Sequence, residues 1–96
     1  NRVLSSKEAL EWGLINKVVD DEEVINETNK LALKIAQGPT KAFGGVKEMI
    51  RQSFSNGLET QMELESQIFS EQLKGVDGPE GIEAFTSKRK PEFKGK

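Results

Sequence analysis

The spacing of apolar residues along the chain predicts a series of short amphipathic helices. Within segments 24–36 and 58–74, apolar side chains recur every three or four residues, which gathers them on one face of an α-helix. Residues 14–19 lack this period and are rich in branched aliphatic side chains, which favours a brief extended piece. The segment between the two long helical patterns has the helical spacing again, at Phe43, Val46, Ile50 and Phe54.

The helix predicted over residues 58–74 is the longest, at about 25 Å for a rise of ~1.5 Å per residue. It carries two apolar stripes that are offset by roughly half a turn. Two stripes indicate two neighbours, the chain's own core and a subunit contact, although one broad buried face fits the pattern as well. The first stripe consists of Leu58, Met62, Phe69 and Leu73, and the second of Leu64 and Ile68.

Four capping-box spacings predict where helices begin. In a capping box, the first side chain accepts a hydrogen bond from an N–H of the first helical turn, and a Glu three residues later reaches back to the cap. The pattern predicts helix starts near residues 6, 21, 57 and 78. A Ser, Asp or Asn precedes a Glu at this spacing at Ser5, Asp20, Asn56 and Asp77.

Glycine and proline predict where helices end. Gly13 would end the first helix and Gly38, in a left-handed conformation, the second, with Pro39 opening the third. Pro91 would stop the last helix. Inside the third helix, Gly44-Gly45 indicates either a close approach of another element or a weak spot. The prediction is a mainly α fold, a small bundle of four to five short helices with at most one short strand.

The composition describes one small unit with little apolar material for a core. The chain has 96 residues, of which 34% are hydrophobic and 31% charged. A chain of this size buries only ~60–70% of the surface that its unfolded form exposes, so we expect a partner to complete the core. The net charge of −2 argues against nucleic-acid binding, and no apolar run is long enough for a membrane span.

The residue types that are missing restrict the chemistry. Without His or Cys, the chain cannot form a Ser-His-Asp triad, a thiol nucleophile or an ordinary structural zinc site. The carboxylates have the distribution of solvated helix faces, so we expect no catalytic residue and no metal site here. The absence of cysteine and of a visible signal peptide favours the cytoplasm or an organelle matrix.

A basic cluster follows the last predicted helix and is the remaining candidate site. Lys88, Arg89 and Lys90 would lie beside the negative end of the helix dipole. They either complement that dipole or hold a phosphate group by charge, with Phe69 or Phe85 available to stack on a base. The sequence pattern leaves both interpretations open.

Three stretches resemble the C-terminal segment of the crotonase superfamily, the enoyl-CoA hydratase/isomerase family. Residues 8–19 are similar to its "EA…GLVN.VV" stretch, and residues 32–39 are similar to its "A..IA..P" helix end, with Lys47 matching a lysine of the helix that follows. The most specific match is residues 77–95, which resemble "D..EGI.AF..KR.P.F.G" almost position for position. The Gly78-Pro79 pair is a departure that affects loop stiffness.

The resemblance implies that the chain is one part of a longer enzyme, whose parts have different roles. Residues 1–20 would be the end of the spiral-core region, and residues 21–96 the C-terminal helical domain that assembles subunits into trimers or dimers of trimers and covers the CoA site. Lys88 matches a lysine that reaches the phosphates or adenine of CoA, and Phe69 matches an aromatic that contacts CoA from an adjacent subunit. The partners implied are therefore acyl-CoA and further copies of the chain, with a CoA thioester as substrate and no tightly bound cofactor.

The oxyanion hole and the catalytic carboxylates of this family lie in its N-terminal spiral, so the resemblance implies that these 96 residues alone are inactive. The parent would be a lyase or isomerase of fatty-acid or related acyl-CoA metabolism. Its reaction stays open, with phenylacetyl-pathway isomerases among the candidates. The alternative hypothesis is a free-standing helical interaction module whose second apolar stripe grips a partner helix.

Overall fold

The computed structural model describes residues 2–96, which form five α-helices. No strand occurs among these residues, so the prediction of a mainly α fold is confirmed, and the expected extended piece at 14–19 does not pair as a strand. None of the helices in this part of the chain has the length and apolarity needed to cross a membrane. The helices are α1 (Ser6–Glu11), α2 (Val24–Ala36), preceded by a 3₁₀ turn at Asp21–Glu23, α3 (Thr40–Ser53), α4 (Leu58–Lys74) and α5 (Asp77–Thr86).

Contacts divide the chain into two compact units, residues 1–31 and residues 32–96, with the division inside α2. The second unit contains α3, α4, α5 and the C-terminal segment. The boundary at residue 20 that the family resemblance implies concerns a different property, the edge of the spiral core, and stays a prediction.

The start of α1 is the one capping box that forms as predicted. The Ser5 hydroxyl accepts from the Glu8 amide at 3.2 Å, and the Ser5 amide donates to the Glu8 carboxylate at 3.0 Å. These hydrogen bonds from Ser5, with a further one from Arg2, hold the pKa of Glu8 below its ordinary value. Two orphan amides are thereby satisfied at once.

The end of α1 also follows the prediction. Gly13 has φ +71°, the left-handed conformation that glycine adopts without a steric penalty. The Gly13 amide donates to the Leu10 carbonyl at 3.0 Å, and the Leu14 amide donates to the Ala9 carbonyl at 2.9 Å. This pair of bonds is a Schellman motif.

The predictions of the other three capping boxes are wrong. Asp20 makes no side-chain cap, and Gly57 rather than Asn56 precedes α4, where the Asn56 amide group donates to Gln61 instead. Val76 precedes α5, so Asp77 lies inside the helix. The spacing of a capping box is therefore present at three places where the box does not form, and only at Asp77 does a partner far along the chain take the side chain.

The helix α2 ends close to Gly38 as predicted, but glycine is needed there for a different reason. Gly38 is not left-handed, because among the described glycines only Gly13 and Gly95 have positive φ. A Cβ at Gly38 would lie 2.5 Å from the ring of Phe43, so glycine is needed there for the close approach of that ring. Pro39 stands one residue before α3 rather than at its first position.

In the second unit, α4 packs against both α3 and α5. The Leu64 and Ile68 stripe is half-buried on the α3 side, where a Cβ built on Gly45 would lie 2.7 Å from Ile68 Cγ2. The close approach predicted for the glycine pair is thus confirmed at Gly45, whereas Gly44 faces open space.

The described residues contain almost no fully buried side chains. Only Ala84, at 1% exposure, and Asp77, at 7%, are buried. The other stripe of α4 is exposed, with Leu58 at 77% and Met62 at 61%. Residues 2–96 by themselves therefore bury little of their apolar surface, and the expectation that a partner completes the core stays a prediction.

Candidate functional site

An apolar groove runs along α3, α4 and α5 of the second unit. Its volume is about 770 Å³, and apart from a few polar groups such as Glu65 and Gln72 its wall is hydrocarbon and aromatic. A groove of this size is large enough for part of an organic ligand or for side chains of another protein element. The lining residues are Ala42, Val46, Met49, Glu65, Ser66, Ile68, Phe69, Gln72, Leu73, Gly78, Gly81, Ile82 and Phe85.

The groove brings together two aromatic rings from different helices. Phe69 on α4 is 65% exposed and Phe85 on α5 is 88% exposed, although both rings line the groove. Exposed aromatic faces of this kind are available for stacking or edge contacts with a planar group. Both rings are candidate contacts for a base on sequence grounds, and the structure places them on one surface.

Lys88 does not line this groove, among the residues that the structure describes. It follows Phe85 by three residues and lies in the turn that ends α5, with φ +54°, the one positive φ of a non-glycine residue in the described chain. The Lys88 amide donates to the Phe85 carbonyl at 3.2 Å, and the Arg89 amide donates to the Ala84 carbonyl at 3.0 Å. These bonds make a Schellman motif in which lysine occupies the position that usually belongs to glycine.

The helix therefore ends at Thr86, several residues before Pro91, so the prediction that Pro91 stops the helix is wrong. A left-handed conformation costs an L-residue about 1–2 kcal/mol because Cβ crowds the carbonyl oxygen. Strain of this size persists only where surrounding contacts impose it. Besides the Schellman bonds, the nearest such contacts are those of Glu80 with the residues that follow Lys88.

Glu80 on α5 binds residues that follow Lys88 in the chain. Its carboxylate accepts from both terminal nitrogens of the Arg89 guanidinium, at 2.6 and 2.8 Å, and from the Glu92 amide at 2.7 Å. The bond from Arg89, and then that from Glu92, lowers the pKa of Glu80 to about 2. Arg89, which also lies 3.6 Å from Glu83, has its pKa raised by the same bonds to Glu80. A bidentate, charge-assisted pair of this geometry fixes orientation as well as distance.

The basic cluster of the sequence analysis therefore separates into two kinds of residue. Arg89 is neutralised by carboxylates on α5. Neither Lys88 nor Lys90 has an ion-pair partner within residues 2–96, and both are exposed. Of the three cations, the two lysines are available to an anionic ligand, and only Lys88 is held in an unusual backbone conformation.

Asp77 fastens the end of the C-terminal segment, residues 87–96, which we call the tail. Its buried carboxylate accepts from the Lys94 amide at 2.7 Å and from the Gly95 amide at 2.8 Å. The backbone amides of Val76 and Asp77 donate in turn to the Lys96 carbonyl, at 2.8 and 3.1 Å. The first turn of α5 is thus capped by the tail rather than by a local side chain.

Small residues on α5 let the tail lie close to the helix. The ring of Phe93 lies 3.5 Å from the position that a Cβ on Gly81 would occupy, and Ala84 is fully buried. A Cβ on Gly78 would lie 2.4 Å from the Gln72 carbonyl oxygen, so only glycine fits there. Most positions of the terminal sequence motif are thereby explained as parts of one helix-and-tail arrangement.

Sequence reasoning missed the roles of Asp77, Glu80 and Arg89. Asp77 and Glu80 fit a capping-box spacing, and Arg89 fits a basic helix end. The local sequence therefore accounts for the presence of each residue without any contact to the tail. The signal that was present is their register: Asp77 and Glu80 are separated by one helical turn and therefore face the same side of α5. The tail that follows provides the donors for that side.

The comparisons with known proteins agree with the fold and with the motif. The family model described as enoyl-CoA hydratase/isomerase matches residues 1–96. The chain belongs to the enoyl-CoA hydratase/isomerase family. The family resemblance inferred from the sequence is confirmed, as is the interpretation of the chain as a helical segment of that fold.

Individual relatives cover nearly all of the chain. The 1,2-epoxyphenylacetyl-CoA isomerase of Escherichia coli K12 is 40% identical over 93 residues, which are 97% of this chain and 36% of that protein. The trans-2-decenoyl-[acyl-carrier-protein] isomerase of Streptococcus mutans is 31% identical, over 97% of this chain and 35% of that protein. The chain spans about a third of the length of the relatives it matches.

A solved structure gives the same result. The enoyl-CoA hydratase of Geobacillus kaustophilus HTA426 superimposes with a TM-score of 0.87 at 31% identity, over 97% of this chain and 35% of that chain. The helical arrangement described above is therefore the arrangement of the corresponding third of that enzyme.

Proposed function

We propose that this chain is the C-terminal part of an acyl-CoA hydratase or isomerase, in which it contacts CoA and takes part in subunit assembly. The observation that carries the proposal is Lys88, an exposed cation without an ion-pair partner among the described residues, held in a left-handed turn at the end of α5. An uncompensated ammonium on a constrained backbone suits the phosphates of CoA, whereas a lysine that only solvates a helix end needs no such constraint. Family membership favours this hypothesis over a free-standing interaction module.

The chemistry of the reaction is proposed to come from the rest of the enzyme. The chain spans about a third of its relatives, and its carboxylates with lowered pKa values are all engaged by cations or backbone amides. A carboxylate that is held ionised in an ion pair is a poor general acid at neutral pH. We infer that hydration or double-bond isomerisation uses groups outside residues 2–96.

The aromatic groove is the proposed second contact. Phe69 and Phe85 expose apolar rings on one surface, and an aromatic ring that stacks on a base contributes about 1–3 kcal/mol. In the family pattern, the ring that corresponds to Phe69 serves the CoA site of an adjacent subunit. Lys88 does not line the groove that contains Phe69, so the two residues can serve different CoA sites.

The first experiment tests the CoA contact in the complete protein that contains this chain. Lys88→Ala is compared with Lys90→Ala, which removes the same charge two residues away. We expect Lys88→Ala to weaken acetyl-CoA binding about tenfold, the lower range for a charge-assisted hydrogen bond, and Lys90→Ala to change it little. Calorimetry measures both dissociation constants. Equal effects of the two variants, or no effect of Lys88→Ala, would contradict the proposed contact.

The carrier specificity needs a separate measurement, because the Streptococcus mutans relative is named as an acyl-carrier-protein isomerase. Acyl carrier protein presents a phosphopantetheine arm without the adenosine phosphate of CoA. We therefore expect Lys88→Ala to weaken the binding of acetyl-CoA and to leave that of acetyl-pantetheine unchanged. A loss of both ligands would contradict a contact with the nucleotide end.

The assembly role is supported by the apolar stripe that α4 exposes. We expect Leu58→Glu to lower the oligomeric state of the complete protein, because it places a charge on a side chain that is 77% exposed within the chain. Thr60→Glu, on the exposed polar side of the same helix, is the matched control. Light scattering coupled to chromatography measures the mass, and an unchanged mass for Leu58→Glu would show that this stripe does not assemble subunits.

A further inference from the structure

The conformation of Lys88 depends on what holds the residues around it. On the helix side, the Schellman bonds from Lys88 and Arg89 fix the backbone to the last turn of α5. On the tail side, the chain turns back and runs along α5, so that Glu92 meets a residue twelve positions earlier. Lysine has no intrinsic preference for the left-handed region, so these flanking contacts impose it.

Glu80 makes the contacts that flank Lys88 on the tail side. Its carboxylate binds the side chain of Arg89, the next residue, and the backbone of Glu92, four residues on. The Glu80 side chain is only 19% exposed, and that of Arg89 39%. One partly buried carboxylate therefore fixes both a side chain and a backbone amide of the same short turn.

We propose that Glu80 is a positioning residue for Lys88: by holding Arg89 and Glu92 against α5, its carboxylate keeps the Lys88 backbone left-handed and its ammonium directed to the phosphate-bearing end of CoA. This inference rests on the proposed function. Glu80 does not itself touch the ligand, and its negative charge is neutralised by Arg89, so it acts through geometry.

Asp77 provides a contrast within the same tail. It binds the Lys94 and Gly95 amides, beyond the turn, and its side chain makes no hydrogen bond or ion pair with Lys88 or with the residues on either side of it. A residue that merely stabilises the tail would behave like Asp77. The positioning role therefore predicts that the two carboxylates differ in their effect on ligand binding even where they have similar effects on stability.

The experiment uses the complete protein and acetyl-CoA as the probe, with acetyl-pantetheine as the ligand that lacks the nucleotide. We expect Glu80→Gln to raise the dissociation constant of acetyl-CoA about fivefold, within the range of coupling between residues in one hydrogen-bond network, and not that of acetyl-pantetheine. In the Lys88→Ala background, Glu80→Gln should have no further effect. Asp77→Asn should lower the melting temperature and leave acetyl-CoA binding unchanged.

The outcomes separate this inference from the proposed function. If Lys88→Ala weakens acetyl-CoA binding but Glu80→Gln does not, or if Glu80→Gln keeps its effect in the Lys88→Ala background, the positioning role is wrong and the proposed function stands. An effect of Asp77→Asn as large as that of Glu80→Gln also overturns it. If Lys88→Ala itself has no effect, the CoA contact fails and the inference with it.

A second variant covers the case in which Glu80→Gln does not fold. Arg89→Lys retains the charge opposite Glu80 but cannot form the two parallel hydrogen bonds. We expect the same selective loss of acetyl-CoA binding, smaller in size. A variant that folds and binds acetyl-CoA as the unaltered protein does would overturn the proposal.

Discussion

Two adjacent glycines in α3 should respond in opposite directions to the same substitution. Gly44 and Gly45 both lie in the interior of Thr40–Ser53, where alanine is favoured over glycine by about 0.8–1.0 kcal/mol. A Cβ on Gly44 meets nothing within 4 Å. Gly44→Ala should therefore raise the free energy of unfolding by close to the full helix-propensity difference.

Gly45→Ala gains the same propensity but places its Cβ 2.7 Å from Ile68 Cγ2. Carbon atoms in contact normally lie about 3.5–4.0 Å apart, so the overlap is about 1 Å. Ile68 cannot rotate away easily, because a β-branched side chain in a helix has essentially one χ1 rotamer. Overpacking of this kind costs about 1–3 kcal/mol, which leaves Gly45→Ala about 0–2 kcal/mol less stable than the unaltered protein.

Thermal melts of the complete protein measure the difference, at about 2–4 °C per kcal/mol for a domain of 150–250 residues. Gly44→Ala should melt above, and Gly45→Ala at or below, the unaltered protein. Ile68→Ala in the Gly45→Ala background should show favourable coupling, because it removes the atom that clashes. Stabilisation by Gly45→Ala equal to that by Gly44→Ala would refute the close approach of α3 and α4.

Two further predictions concern α5 and the tail. Lys88→Gly should raise the free energy of unfolding by about 1 kcal/mol, because glycine adopts φ +54° without strain. Lys88→Ala should not raise it, and denaturant titrations measure both variants. Equal stability of the two would contradict an imposed left-handed turn. For Glu80, the pKa is lowered from 4.5 to about 2 on folding, so the unfolded state binds more protons in that interval and stability falls as the pH drops through it. The stability advantage of the unaltered protein over Glu80→Gln should thus be full above pH 4.5 and shrink towards pH 2, and a constant difference across that window would show that the ion pair does not form.

The elements that local rules describe completely were predicted best. The bounds of α4, Leu58–Lys74, agree with the apolar period, and the capping box at Ser5 and the left-handed Gly13 form as expected. Each of these features is decided by residues within a few positions of one another. A single sequence contains that information in readable form.

The features that were missed are decided by packing, in most cases against partners far along the chain. Asp77 and Glu80 satisfy the spacing of a capping box, but the tail, 12–18 residues later, supplies donors that win over the local ones. Gly38 has the right residue type for a left-handed cap, but a neighbouring ring explains it instead. Local patterns cannot rank a near partner against a distant one, because the competition is decided by packing.

The left-handed turn at Lys88 also restricts which residues could replace it. Asparagine or glycine would preserve the course of the backbone and lose the charge, whereas arginine would retain the charge on an equally unbranched stem. Valine or isoleucine would lose the charge and would also disfavour the left-handed backbone, because branching at Cβ makes φ +54° an outlier. Position 88 therefore combines two requirements, a left-handed backbone and a positive charge. Of these replacements only arginine meets both, and it exchanges an ammonium for a planar guanidinium.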